Sequence, residues 1–237
     1  MALPQNSTPI YTLTIPSSGK TIKYRPFLVK EEKSLLLAQQ SDNSSVMVDT
    51  LKDIISSCIK DKIDVDDLAV FDLEYIFAQL RAVSIGEKVP LIFRCTECKK
   101  DESKITINVD LRELKVEIPE GHQKKIHLFD DVGVVMKYPS IEIIRMLDES
   151  DDTDVDTLFN VVLSCIDSIY DTDQIYPAHE QTREELYIFL SNLTSEQFKK
   201  IQQFFETMPK MKKELTYNCP ACGAEQHRVL EGLTSFF

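Results

Sequence analysis

Two Cys-x-x-Cys pairs constrain this chain more than any other feature of its sequence. Cys95 and Cys98 form the first pair and Cys219 and Cys222 the second, and each pair stands between two extended-looking runs. Four thiolates match the tetrahedral preference of Zn²⁺, and each two-residue spacer lets one tight turn present two sulfurs to the ion. We therefore predict one structural Zn²⁺ bound by all four cysteines, with no open coordination position for chemistry.

The two pairs lie far apart in the chain, because 120 residues separate Cys98 from Cys219. Lengthening a closed loop from about 20 to about 120 residues costs only roughly 1.6 kcal/mol of entropy. Structural zinc contributes on the order of 10 kcal/mol or more to folding. The metal therefore tolerates a folded insertion, which we expect within residues 99–218.

Other interpretations of these cysteines remain open. A redox Cys-x-x-Cys pair is expected at the start of a helix, whereas an extended run follows Cys222. Reduced structural cysteines without a metal are a second alternative. His227 is close enough to the second pair to be a substitute ligand, although a surface position is the commoner role. Cys58 and Cys165 fall on apolar faces of predicted helices, so we expect both to be buried and uninvolved.

Charge and hydropathy restrict the partners and the compartment. The formal net charge of −12 disfavours nucleic acid, although residues 88–104 and 210–228 are locally basic. The N-terminus has neither the basic region nor the apolar core of a signal peptide, so we expect an intracellular protein. No apolar run approaches the ~20 residues of a membrane span, so we expect a soluble one. Protein partners are the best match to this composition.

Periodicity places helices on both sides of extended segments. We predict a hairpin within residues 11–24, a helix at 30–40, and a helix whose apolar face runs from Leu51 to Ile59. Asp72 is a candidate cap for a helix that ends at Gly86. Strands are expected in the following ranges: 88–95, 104–110, 124–129, 132–138 and 211–218.

The remaining segments favour helices. Pro139 opens a predicted helix that reaches Leu147, and the acidic loop 148–154 leads into one long helix with its apolar face extending to Ile169. Thr182 with Glu185 and Thr194 with Gln197 are capping boxes, each before an amphipathic run. The second of these helices stops at Pro209.

These elements predict an α+β fold with a mostly helical body, an N-terminal β-hairpin and a split zinc-ribbon-like β element. We expect residues 1–87 to form the N-terminal hairpin and helical region. Residues 88–110 plus 210–237 form the split zinc module, and residues 111–209 form an inserted hairpin and helical region.

Catalytic motifs are missing from the sequence. With six glycines and no Gly-x-Gly, neither a phosphate-binding loop nor a dinucleotide fingerprint is present. Asp152, Asp154 and Asp156 alternate like calcium ligands, but Thr157 and Leu163 stand where that loop needs Gly and Glu. We therefore predict no catalytic residues and a non-enzymatic protein.

Several segments resemble the baseplate hub assembly proteins of T-even-type contractile-tailed phages. They are the following: residues 9–20, 24–36, 197–209, 219–223 and 230–237. The resemblance implies a baseplate hub subunit, or a chaperone-like assembly factor, that binds other hub or tail proteins. It also implies action in the host bacterial cytoplasm during assembly, and in the virion if the chain is a subunit. Whether Phe236 and Phe237 are core residues or a docking anchor stays open.

Two other functions remain as alternatives to this one. A zinc ribbon is also found in nucleic-acid-binding proteins and transcription factors, and a salt-sensitive DNA complex would identify that class. A Cys-x-x-Cys pair is also found in thiol oxidoreductases, which thiol titration of the native protein would detect.

Overall fold

Helices and short antiparallel sheets alternate along the chain. The computed structural model describes residues 7–41, 44–98, 100–143, 155–232 and 235. Its helices are α1 (Val29–Gln39), α2 (Ser44–Cys58), α3 (Val70–Ser84), α4 (Val155–Ser164), α5 (Arg183–Ser191) and α6 (Ser195–Glu206). Its strands are β1 (Tyr11–Thr14), β2 (Thr21–Tyr24), β3 (Lys88–Phe93), β4 (Ile105–Asp110), β5 (Lys115–Glu117), β6 (Lys125–Phe129), β7 (Val132–Met136), β8 (Ile166–Tyr170), β9 (Ile175–Pro177), β10 (Lys210–Asn218) and β11 (Glu225–Glu231).

The prediction of a mostly helical α+β body is wrong, because the structure has 38% of its residues in helices and 29% in strands. Eleven strands form four antiparallel sheets in the described ranges, with the orders β1-β2, β3-β4, β11-β10-β5 and β6-β7-β8-β9. The N-terminal hairpin is present as expected, with Leu13 opposite Ile22. The fold is therefore mixed, with helices and antiparallel sheets in comparable measure.

The largest single error concerns the helix predicted to run on to Ile169. Helix α4 ends at Ser164, and the next residues form β8 between β7 and β9. Ile166 and Ser168 are buried while Asp167 between them is exposed, which is the alternation of a strand. The apolar residues of this segment are spaced in a way that also fits a helix, but pairing with strands on both sides makes it a strand.

Asp72 is not the cap of α3. That helix begins at Val70, and Asp72 lies fully buried in its first turn. The Asp72 carboxylate accepts a hydrogen bond of 2.9 Å from the backbone N–H of Ser17, in the turn between β1 and β2. The side chain predicted to cap the helix therefore accepts a hydrogen bond from a residue far away in the sequence instead.

One compact unit comprises Met1–Glu117 and Lys210–Phe237. An apolar cluster within it joins α3 to the β3–β4 and β10–β11 hairpins. Its buried members are Ala78, Ala82, Val89, Val109, Leu111, Leu114, Met211 and Leu230. Both hairpins that carry a cysteine pair therefore share one core.

The second compact unit is Ile118–Pro209. Its core packs the four-stranded sheet against α4, α5 and α6, and includes Leu128, Val134, Ile166, Leu190 and Ile201. Both capping boxes are confirmed, at Thr182 with Glu185 and at Thr194 with Gln197. The three-part division predicted above, at 1–87, 88–110 plus 210–237 and 111–209, stays a prediction beside these two units.

Two predicted features lie outside the described residues, namely the acidic loop 148–154 and Phe236-Phe237. Only the first residues of the helix predicted after Pro139 are described. Among the helices that are described, none combines the length and the apolar character needed to cross a membrane.

Candidate metal centre

The first cysteine pair lies in the connection of the β3–β4 hairpin, in a turn we call the first knuckle (residues 95–98). The hairpin pairs from Lys88 opposite Asp110 to Phe93 opposite Ile105, so the chain enters the knuckle directly from paired strand. Cys95 is buried, and Cys98 is partly exposed. The local fold thus points one thiol inward and leaves the other nearer the solvent.

The second pair occupies the turn between β10 and β11, which we call the second knuckle (residues 219–222). The backbone N–H of Cys219 donates to the carbonyl of Ala224 at 2.8 Å, and the N–H of Gly223 donates to the carbonyl of Cys219 at 2.9 Å. Gly223 has a φ of 75°, in the left-handed region that favours glycine. Cys219 is buried and Cys222 is exposed.

The four sulfurs meet between the two knuckles. Each knuckle pairs across to the other, with Sγ–Sγ distances of 3.8 Å for Cys95–Cys222 and 3.8 Å for Cys98–Cys219. All four Sγ atoms lie within 4.8 Å of one another. A tetrahedral ion with metal–sulfur bonds of about 2.3 Å has sulfur–sulfur edges of about 3.8 Å. The donor set and the spacing therefore fit a metal ion, and no other His, Cys, Asp or Glu cluster in the described ranges does so.

Proton affinities differ within the cluster. Burial opposes ionisation of Cys219, but the N–H groups of Ala221 and Cys222 and the neighbouring thiols outweigh it and lower its pKa to about 7. The N–H of Ala224 lowers the pKa of Cys222, but Cys219, burial and the other sulfurs raise it overall to about 12. Four adjacent thiols cannot all ionise without a cation beside them, which is the condition that a metal satisfies.

Comparison with protein families supplies the assignment that the site alone does not. The family model described as "T4 bacteriophage base plate protein" matches residues 8–237. The chain belongs to this family. Together with the relative described next, this match gives the chain a structural or assembly role in the phage tail.

One curated relative extends the comparison. "Baseplate hub assembly protein gp26" of Enterobacteria phage T4 is 25% identical over 228 residues, covering 96% of this chain and 97% of the relative. The resemblance found in the sequence is thereby confirmed. No solved structure matches the chain.

The two remaining cysteines and His227 are not members of the four-sulfur group of this base plate family chain. Cys58 and Cys165 are fully buried, and burial raises their pKa values to about 11 and about 12. The His227 side chain is 70% exposed on the outer face of β11, and its Nδ1 lies 3.1 Å from Thr216 Oγ1. All three residues therefore have explanations in the fold that involve no metal.

Sequence reasoning missed a polar residue beside the cluster. Gln226 of β11 is only 5% exposed, and its Oε1 accepts from the backbone N–H of Thr96 at 3.1 Å and from the Thr96 hydroxyl at 2.9 Å. Strand alternation was the available signal, because Gln226 shares the inward face of β11 with Leu230. The alternation along β11 puts this glutamine at an inward position, where an apolar residue is expected.

Proposed function

We propose that this chain acts in the baseplate hub, as a hub subunit or as a chaperone-like assembly factor. The observation that carries the proposal is near-full-length similarity to a protein named for baseplate hub assembly, at 96% coverage of this chain. The role is non-enzymatic and depends on contacts with other hub or tail proteins. It takes place in the host bacterial cytoplasm while tails are built.

The four cysteines, Cys95, Cys98, Cys219 and Cys222, bind one structural Zn²⁺ in this proposal. The all-sulfur donor set and the 3.8 Å cross-knuckle distances support zinc over cations that prefer oxygen ligands. The ion supplies positive charge and a cross-link between the hairpins. Elemental analysis of protein purified without chelator should give one equivalent of zinc per chain, and a value well below one contradicts it.

The partners are proteins and not nucleic acid. A formal net charge of −12 repels a phosphate backbone at long range. We expect no appreciable affinity for duplex DNA at physiological salt in a mobility-shift titration. A sub-micromolar, salt-sensitive complex would instead favour the nucleic-acid-binding alternative.

Thiol chemistry is the second candidate function, because the lowered pKa of Cys219 favours a reactive thiolate. Its three neighbouring sulfurs support metal binding more strongly. Thiol titration of the native protein separates the two, since zinc-bound sulfurs react slowly. Rapid modification of Cys219 in protein that carries no metal would support the oxidoreductase.

A phage that lacks the gene tests the proposed role directly. We expect the deletion to abolish infectious particles and to leave tails without complete hubs, and expression of the chain in the host to restore both. Mass spectrometry of purified particles then separates a subunit, which is present, from an assembly factor, which is absent. Normal infectivity of the deletion phage would refute a role in the hub.

A further inference from the structure

Both polar atoms of the Gln226 amide have partners, and its oxygen binds the first knuckle. The Thr96 N–H can only donate, so the side-chain oxygen of Gln226 must be the atom that faces it. That oxygen takes the Thr96 hydroxyl as its second donor, while the amide nitrogen donates to the carbonyl of Glu225 at 3.2 Å. A buried amide with no partner at this position would lose its hydration without compensation. The hydrogen bonds between Gln226 and Thr96 therefore fix the position of the first knuckle and of the Gln226 side chain.

Two further contacts join the same parts of the fold. Arg228, which follows Gln226 on the same face of β11, donates from Nη2 to the carbonyl of Arg94 at 3.2 Å. The Phe93 ring lies 5.7 Å from the Tyr217 ring, measured between centroids. Residues on both sides of Cys95 are thus tied to the β10–β11 hairpin by contacts that involve no sulfur.

The hairpins that carry the two knuckles also share a core. Val89 and Val109 come from β3 and β4, and Met211 and Leu230 come from β10 and β11, all in one buried cluster. Apolar burial of this kind is present whether or not an ion is bound. The shared core therefore brings the two cysteine pairs together, although they lie far apart in the sequence.

We propose that Gln226 is a metal-independent positioning residue that seats Cys95 against the second knuckle before any metal binds. The ion then enters a preformed four-thiol site, unlike the small zinc domains whose folding depends on the metal. The inference rests on the proposed function only for the identity of the ion. Without Gln226 the first knuckle gains freedom, and the ion must restrict it on binding, which lowers its affinity.

Two substitutions isolate the Gln226 contact, and two serve as matched controls. Gln226→Met keeps the length of the side chain and removes the acceptor, whereas Thr96→Val removes only the hydroxyl donor. His227→Ala changes the neighbouring, exposed side chain of the same strand. Leu230→Val weakens the shared core, whose buried members include no residue of the first knuckle.

The measurements use the full-length protein. Hydrogen exchange of the Thr96 amide is followed by NMR after metal removal in the presence of a reductant, and zinc affinity is measured by competition with a chromogenic chelator. We expect slow exchange at Thr96 in the metal-free native chain and in both controls. Gln226→Met should accelerate this exchange and lower zinc affinity by about tenfold, and Thr96→Val should have a smaller effect on both.

Three results would overturn the proposal. In the first, the Thr96 amide of the native chain loses its protection once metal is removed, so that the ion creates the site. In the second, Gln226→Met leaves zinc affinity unchanged. In the third, Leu230→Val lowers zinc affinity as much as Gln226→Met, so that only general stability matters. A chain that binds no zinc but protects Thr96 would refute the zinc proposal and leave the role of Gln226 intact.

Discussion

At the scale of single residues, Cys219 combines burial with a lowered thiol pKa. Its pKa of about 7 means that it ionises readily near neutral pH, whereas Cys58 remains a buried thiol with a pKa of about 11. The proposal therefore gives the two cysteines separable roles, Cys219 as a metal ligand and Cys58 as a packing residue. Substituting each of them tests that separation.

Cys219→Ser should abolish stoichiometric zinc binding and lower the melting temperature to that of chelator-treated native protein. The reason is that an ion bound only to the folded state stabilises it by mass action, and the variant loses that contribution. Cys58→Ala is the control: it should keep its zinc and cost about 1–2 kcal/mol as a small cavity. Full zinc occupancy in Cys219→Ser, measured by elemental analysis, would contradict the ligand set.

Glu31 gives the fold an acid-sensitive ion pair. Its Oε1 lies 2.8 Å from Arg25 Nη2, both side chains are buried, and its Oε2 accepts from the Leu28 N–H at 2.8 Å. Burial alone would raise the pKa of Glu31, but these hydrogen bonds outweigh it and lower the pKa to about 2. The folded state therefore binds fewer protons than the unfolded state between the ordinary carboxyl pKa of 4.5 and about 2.

The stabilising contribution of Glu31 should accordingly be complete above pH about 4.5 and be lost as the pH falls toward 2. Glu31→Gln should flatten this part of the stability profile and cost roughly 3–5 kcal/mol, because the buried Arg25 loses its opposite charge. The measurement is urea unfolding across that pH range. Glu113→Gln, which removes an exposed ion pair with Lys213, should change stability far less, and equal effects would contradict the argument.

At the scale of elements, the capping boxes show how far a four-residue motif determines a helix start. Thr194 accepts from the Gln197 N–H at 3.3 Å, and the Gln197 side chain accepts from the Thr194 N–H at 2.8 Å. Every partner lies within one helical turn, so no distant contact is needed. Helix α6 begins at Ser195 for this reason.

Thr194→Ala should destabilise the chain by about 1 kcal/mol, because it leaves an N–H of the first turn without its acceptor. Thr194→Ser retains the hydroxyl and should stay near the native stability. Denaturant unfolding of both variants gives the comparison. Equal stability of the alanine and serine variants would show that the cap contributes nothing.

At the scale of the whole molecule, the unit Ile118–Pro209 is an insertion whose ends leave adjacent strands. Lys210 of β10 lies opposite Glu117 of β5 in an antiparallel pair, so the two connection points are neighbours. Among the residues that the structure describes, none from 118–209 belongs to the shared buried core of the knuckle hairpins. The first unit therefore has its own core, and the pairing of β5 with β10 brings its two chain segments together.

Replacing residues 118–209 by Asn-Gly should leave a folded protein that still binds one zinc. Asn-Gly favours the tight turn that joins two paired antiparallel strands, as β5 and β10 are here. Elemental analysis and thermal melting with and without chelator provide the test, with the intact chain as the reference. A shortened chain that stays unfolded in the presence of zinc would contradict an independent first unit.

The sequence by itself determined those features whose partners are close in the chain. The capping boxes were predictable because their hydrogen bonds join residues three apart, and the first hairpin because its turn joins its two strands. The cysteine spacing also identified the four sulfurs that meet, since metal-ligand pairs carry a strong local signal. The resemblance at the two ends of the chain was sufficient to identify the family.

Only the tertiary structure decided the features that depend on distant partners. Ile166–Tyr170 is a strand because β7 and β9 pair with it, although its spacing also fits a helix. Asp72 was predicted to be a cap but accepts a hydrogen bond from Ser17. Gln226 accepts one from Thr96, 130 residues away. A sequence pattern reports which faces are apolar and which turns are favoured locally. It does not report which distant donor will stand opposite a buried acceptor, because that depends on the packing of the whole unit.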